Sequence, residues 1–143
     1  MKKIVIAVND SWAAYNFRFN LGLALQKEGY EVTFISPYSS YSEKIKFFFN
    51  YSDIKLSANG INPIEDFKTI YGYYKIYKEL RPSVVLNFSI KPNIYGTFAA
   101  SFLGIPVINN IAGLGTLFIE QGAVTKIAEF LYKLSQKRAA KIF

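Results

Sequence analysis

The sequence predicts an α/β domain: a Rossmann-like, doubly wound parallel sheet with helices on both faces, three layers in all. Three observations predict it. Apolar runs of strand length recur at 3–8, 31–36, 83–88 and 105–109, and continuous rather than alternating hydrophobicity marks strands buried on both faces. Helical stretches with one apolar face separate these runs. Glycine or proline stands at the joints, and strand, helix, glycine and second strand follow one another in the order of a βαβ unit.

The first strand, 3–8, is broken by Asn9, Asp10 and Ser11. The helix after it carries Phe17, Leu21, Ala24 and Leu25 at a spacing that puts them on one face, and Gly29 stops it as a residue suited to positive φ. The second strand, 31–36, ends at Pro37. A short helix from Ser42 and a weak strand at 55–58 follow, then a turn at Asn59 and Gly60. Asn62, Pro63 and Glu65 form a helix start, with a capping side chain, a proline in the first turn and a glutamate able to reach back. That helix runs to Leu80, with Phe67, Tyr71 and Tyr74 expected against the sheet. Strand 83–88, a helix at 92–103 closed by Gly104, strand 105–109, a glycine-bearing loop and a basic amphipathic helix at 124–139 complete the pattern. Residues 141–143 read as the start of a sixth strand, so a fragment of a longer protein is expected.

The 143 residues amount to one domain, and with 51% hydrophobic residues the chain can fill a core. Cysteine and histidine are absent, which excludes disulfide scaffolds, thiol chemistry and any site built on imidazole. The formal charge of +7 favours an anionic partner: nucleic acid, an anionic lipid surface or a phosphorylated ligand. Neither a secretory signal nor an apolar span of roughly 20 residues is present. A cytoplasmic chain, soluble or peripheral on the inner face of the plasma membrane, is therefore expected.

In doubly wound sheets ligands lie outside the carboxyl ends of the strands, where strand order reverses. That points to three loops. The first holds Asn9, Asp10, Ser11, Trp12, Tyr15 and Asn16. It has none of the glycines a dinucleotide needs for close backbone approach, so no nicotinamide or flavin cofactor is expected. Its polar groups and its Trp suit sugar hydroxyls and a sugar face, or else simply a solvated loop. The second holds Ser89, Lys91 and Asn93, with Lys91 beside a helix start where free N–H groups favour an anion. The third holds Gly113, Gly115 and Thr116; glycines there allow close backbone approach, although many βα turns look alike. Two basic surfaces remain. Lys44, Lys46, Phe47 and Phe48 set aromatics beside lysines, and Lys133 and Lys137 make the last helix basic; both suit a membrane surface as well as ordinary solvation. The acidic residues are too dispersed for a metal site or a paired acid and base, and no catalytic residue is assigned.

Lys91, Pro92, Asn93, Gly96, Ala99 and Ala100, followed by Gly104 and Pro106 and then by Gly113, Gly115 and Phe118, resemble the N-terminal domain of glycosyltransferase family 4 enzymes. Asn16, Phe17 and Arg18, and Gly29, Glu31 and Val32, resemble the same group, especially bacterial enzymes that extend polyprenyl-diphosphate-linked sugars for capsule, O-antigen or glycoprotein glycans. The resemblance implies the N-terminal, acceptor-binding half of a GT-B fold. It also implies a retaining, metal-free transfer from a nucleotide-sugar held by a C-terminal domain that lies outside these residues. Lys91 is then expected to hold the acceptor diphosphate, and loops 9–16 and 113–116 the acceptor sugar. Partners implied are a glycan or polyprenyl-diphosphate-sugar acceptor and a membrane surface, not nucleic acid. Departures are the missing histidine and the missing glycines after the first strand. Two other readings stay open: a membrane-recruiting subunit of a split glycosyltransferase, and a stand-alone nucleotide-binding module.

Overall fold

A computed structural model describes residues 2–56, 63–110 and 141–142. Six strands form one sheet: β1 (Lys3–Ala7), β2 (Glu31–Ser36), β3 (Asn50–Asp53), β4 (Val84–Phe88), β5 (Val107–Asn110) and β6 (Lys141–Ile142), in the order β3-β2-β1-β4-β5-β6. Every pairing is parallel: Ile4 of β1 sits opposite Val32 of β2 on one side and Val84 of β4 on the other. Strand order therefore reverses between β1 and β4, as a doubly wound sheet requires.

Successive strand residues point to opposite faces, and the two faces carry separate cores. Val5, Ala7, Ile35, Val85 and Val107 pack against Tyr73, Tyr77, Ala99 and Ala100 of helices α4 (Pro63–Leu80) and α5 (Thr97–Phe102). Ile6, Val8, Val32, Phe34 and Phe88 pack against Ala14, Ile45 and Phe49 on the other face. The helices of that face are α1 (Ser11–Ala13), α2 (Phe19–Lys27) and α3 (Ser40–Lys46). These are the three expected layers.

Local chemistry sets the ends of the helices. The Asp10 carboxylate accepts the Ala13 N–H at 2.6 Å, capping α1. Ser39 and Ser42 form a reciprocal capping box on α3. Gly29 (φ 96°) and Gly104 (φ 69°) leave α2 and α5 through the left-handed region that side chains resist. Two helices carry π-helical turns at their starts, Ala14–Arg18 ahead of α2 and Pro92–Gly96 ahead of α5.

Three expectations are corrected. The third strand lies at 50–53, not at 55–58: Phe49 is buried in the core, and Lys55 and Leu56 continue beyond the strand end. Phe17 is 62% exposed rather than inward. The wide π turn shifts the phase of the helix, so Ala14 and Gly22 take the buried positions. On α4 the inward face is Asp66, Thr69, Tyr73 and Tyr77, leaving Phe67 77% exposed and Tyr71 also outward. Tyr74 is partly buried against the core. Helix 124–139, Asn59, Gly60 and Asn62 lie outside the described residues.

Candidate functional site at the carboxyl edge of the sheet

Asn9 follows β1 and Ser89 follows β4, the two strands that flank the reversal. The Ser89 hydroxyl donates to Asn9 Oδ1 at 3.0 Å, across 80 positions of sequence. Ser89 adopts φ 80°, a left-handed conformation costly for a non-glycine residue. The first two predicted loops are thus joined at the carboxyl edge.

Around that bond the predicted residues divide. Asn9 and Asn16 are exposed and Asp10 is half-buried. The Asn16 amide donates to the Trp12 carbonyl at 2.9 Å. Trp12 is half exposed and meets the exposed Phe17 ring edge-on at 5.4 Å, giving an aromatic ledge beside the loop. Tyr15 instead packs between Phe19 and Tyr41, with the Lys44 ammonium over its ring, so it belongs to the helix packing.

Ser11 and Asn93 are corrected from ligand-contacting to structural positions. Ser11 is 1% exposed, and its hydroxyl donates to the Pro37 carbonyl at 2.5 Å and lies within hydrogen-bond distance of the Ser36 hydroxyl at 2.8 Å and the Ser42 hydroxyl at 2.7 Å. This knot holds the loop against β2 and α3. Asn93 is buried, and its amide donates to the Asn110 carbonyl at 2.9 Å. It belongs to a polar ladder under the edge. The Asn87 amide donates to Asn109 Oδ1 at 2.9 Å, the Asn109 amide to Thr97 Oγ1 at 2.8 Å, and the Thr97 hydroxyl to the Asn93 carbonyl at 2.6 Å. Buried hydrogen bonds of this kind fix geometry; here they tie β4 and β5 to the turn that carries Lys91, while Asn87 Oδ1 finds no partner among the described residues.

Lys91 is half-buried at the same edge. Desolvation lowers its pKa, and the charge of Asp66 opposes that shift. The Asp66 carboxylate also accepts a hydrogen bond from Tyr95, whose phenol is pushed above its usual value by burial and then by this bond. Asp66 was missed from the sequence, although its spacing to Thr69, Tyr73 and Tyr77 places it on the inward face of α4. Arg18, quoted above only for its resemblance, lies over the end of β4 with its guanidinium 4.0 Å from the centre of the Phe88 ring. Gly113, Gly115 and Thr116 lie outside the described residues, as do Lys133 and Lys137.

Phe47 is 87% exposed and Phe48 is exposed as well. They precede β3, however, so they sit at the amino ends of the strands, away from the edge that carries Asn9 and Ser89. Lys44 and Lys46 lie over the rings of Tyr41 and Tyr38. A different apolar surface lies at the carboxyl edge: Ile64, Phe67 and Tyr71, all exposed on the first turns of α4, with Lys68 among them. Among the described residues no helix is long and apolar enough to cross a membrane, and no group of three acidic residues is arranged to hold a metal ion.

The site can hydrogen-bond hydroxyls through Asn9 and Asp10, offer an aromatic ledge and present two cations. Known proteins match this architecture. The chain is 30% identical over 112 residues to the UDP-N-acetylglucosamine--N-acetylmuramyl-(pentapeptide) pyrophosphoryl-undecaprenol N-acetylglucosamine transferase of Rickettsia akari, covering 76% of this chain and 29% of that protein. It is 27% identical over 143 residues to the protein of the same name from Rickettsia felis, covering 97% of this chain and 38% of that one. The chain thus spans about a third of the length of the curated relatives it matches. Among solved structures, Acinetobacter baumannii MurG superposes with a TM-score of 0.71 at 16% identity, covering 99% of this chain and 40% of that one. A UDP-N-acetylglucosamine 2-epimerase gives 0.70 at 17% identity, covering 99% and 41%. At that identity the structures speak for the fold alone. The pattern of the glycosyl transferase 4-like family runs through residues 3–143, so this parallel sheet, with its two strand-end loops locked together, belongs to that family.

Proposed function

We propose that this chain is the N-terminal, acceptor-side domain of a glycosyltransferase that moves a sugar from a nucleotide-sugar to a lipid-diphosphate-linked or other glycan acceptor. A donor-binding domain faces the carboxyl edge, in the same polypeptide or as a partner subunit. The observation that carries the reading is the Ser89–Asn9 hydrogen bond. It sits at the reversal of strand order, where ligands of this architecture bind, and it is ringed by the Trp12 ledge and the cations Lys91 and Arg18. The Rickettsia relatives are named for transfer to a pyrophosphoryl-undecaprenol acceptor, which supports the lipid-diphosphate class. Retention of configuration and a role in surface polysaccharide assembly rest on the family 4 resemblance.

An acceptor held in a lipid bilayer calls for docking at the same end of the sheet as the site. Ile64, Phe67 and Tyr71 meet that condition; Phe47 and Phe48 do not. The membrane-facing surface is therefore assigned to the first turns of α4, and the domain to the periphery of the inner membrane face.

Calorimetric titration of the chain with a farnesyl-diphosphate-linked N-acetylhexosamine and, separately, with UDP-N-acetylglucosamine tests the assignment. Saturable binding of the lipid-linked sugar alone is expected. Tight binding of the nucleotide-sugar with none of the lipid-linked sugar sinks the reading and favours a nucleotide-binding module.

A further inference from the structure

Arg18 closes the π-helical turn that opens the helix after β1. Phe88, over which its guanidinium stacks at 4.0 Å, is the last residue of β4, one position before Ser89. The cation therefore lies at the carboxyl edge beside the Asn9–Ser89 bond. The central carbon of the guanidinium sits over the Phe88 ring. Among the described residues no carboxylate pairs with Arg18 and no acceptor takes any of its N–H groups, although a guanidinium carries five donors in a fixed fork. Partial burial desolvates it and lowers its pKa below the usual arginine value. It remains a cation at neutral pH. A guanidinium with no carboxylate partner among the described residues can offer its donor fork to an anion. Lys91 differs, because the charge of Asp66 already acts on it.

We propose that Arg18 is the diphosphate-binding residue of this edge, its fork engaging two phosphate oxygens while Phe88 holds the guanidinium plane in place. The proposal rests on the acceptor-side reading above and moves the main phosphate contact from Lys91 to Arg18. A diphosphate arrives either on a lipid or on a nucleotide, and the experiment separates the two.

The full 143-residue chain is titrated with farnesyl diphosphate and with UDP, by calorimetry and by the emission of Trp12, its only tryptophan. Wild type, Arg18→Ala, Arg18→Lys and Lys91→Ala are compared, with a thermal melt of each. Farnesyl diphosphate is expected to bind more tightly than UDP. Arg18→Ala is expected to weaken it about tenfold to a hundredfold, the usual effect of losing charge-assisted hydrogen bonds. Arg18→Lys retains part of the affinity and serves if the alanine variant misfolds, and Lys91→Ala costs less than Arg18→Ala. Unchanged affinity in folded Arg18 variants, beside a wild type that binds, overturns the role of Arg18 and leaves the acceptor reading standing. Tighter UDP binding that Arg18→Ala abolishes keeps Arg18 and overturns the acceptor reading. A wild type that binds neither overturns both.

Discussion

Gly96 lies where the π-helical turn meets α5, directly over the polar ladder. A methyl group there meets Asn87 Oδ1 at 2.9 Å and the Tyr77 hydroxyl oxygen at 3.1 Å. Tyr77 is fully buried, and Asn87 is held by its bond to Asn109. Overpacking of this kind costs about 1–3 kcal/mol. If Asn87 swings away instead, its hydrogen bond is lost at about 1 kcal/mol. Alanine regains about 1 kcal/mol over glycine from helix propensity. Gly96→Ala should therefore lower stability by up to about 2 kcal/mol, or up to about 6 °C in Tm for a domain of this size. Urea and thermal unfolding followed by circular dichroism measure it. Tyr77→Phe removes one of the two obstructing oxygens, so the double variant should recover about 0.5–1 kcal/mol in a double-mutant cycle. A Gly96→Ala protein more stable than wild type by the full helix-propensity gain of about 1 kcal/mol, or a strictly additive cycle, would refute the close packing of α5 on the ladder.

Three further outcomes are expected. Ser11→Ala should cost about 1–2 kcal/mol in urea unfolding, because Ser36, Ser42 and the Pro37 carbonyl lose a shared partner in a buried knot; a neutral effect would show that the loop is held some other way. Burial raises the pKa of Tyr73 and raises that of Tyr77 well above the ordinary 10.0. Both phenols stay neutral in the fold after the unfolded chain has begun to ionise. Their stabilising contribution is complete below pH 10 and declines as pH rises beyond it, by about 1.4 kcal/mol per pH unit for each. Tyr77→Phe should flatten that decline in alkaline unfolding curves by one tyrosine's share, and an unchanged slope would contradict it. In sedimentation with anionic vesicles at low salt, Phe67→Glu should abolish binding and Phe47→Glu should leave it nearly intact, both without loss of stability; the reverse pattern would return the docking surface to the amino ends of the strands.

Much of the fold was legible because it depends on local period and composition. Runs buried on both faces announced parallel strands, Gly29 and Gly104 announced the helix ends, and the carboxyl-edge rule led to Asn9, Ser89 and Lys91 before any contact was known. The site was legible in outline only. A polar residue in a loop does not disclose whether it faces solvent or a distant partner. Ser11 and Asn93 had the chemistry of ligand contacts, and the structure commits both to internal hydrogen bonds.

By itself, the sequence determined the parallel sheet and most of the joints between its elements, since spacing, apolar runs and turn residues act over a few positions. The tertiary structure alone decided that Phe17 turns outward while Ala14 and Gly22 turn inward, because the π-helical turn at Ala14–Arg18 breaks the regular period. It also decided that Asn9 meets Ser89 and that Arg18 stands over Phe88. Such contacts join residues some 70 to 80 positions apart, and they exist only once the crossover connection has brought β4 beside β1.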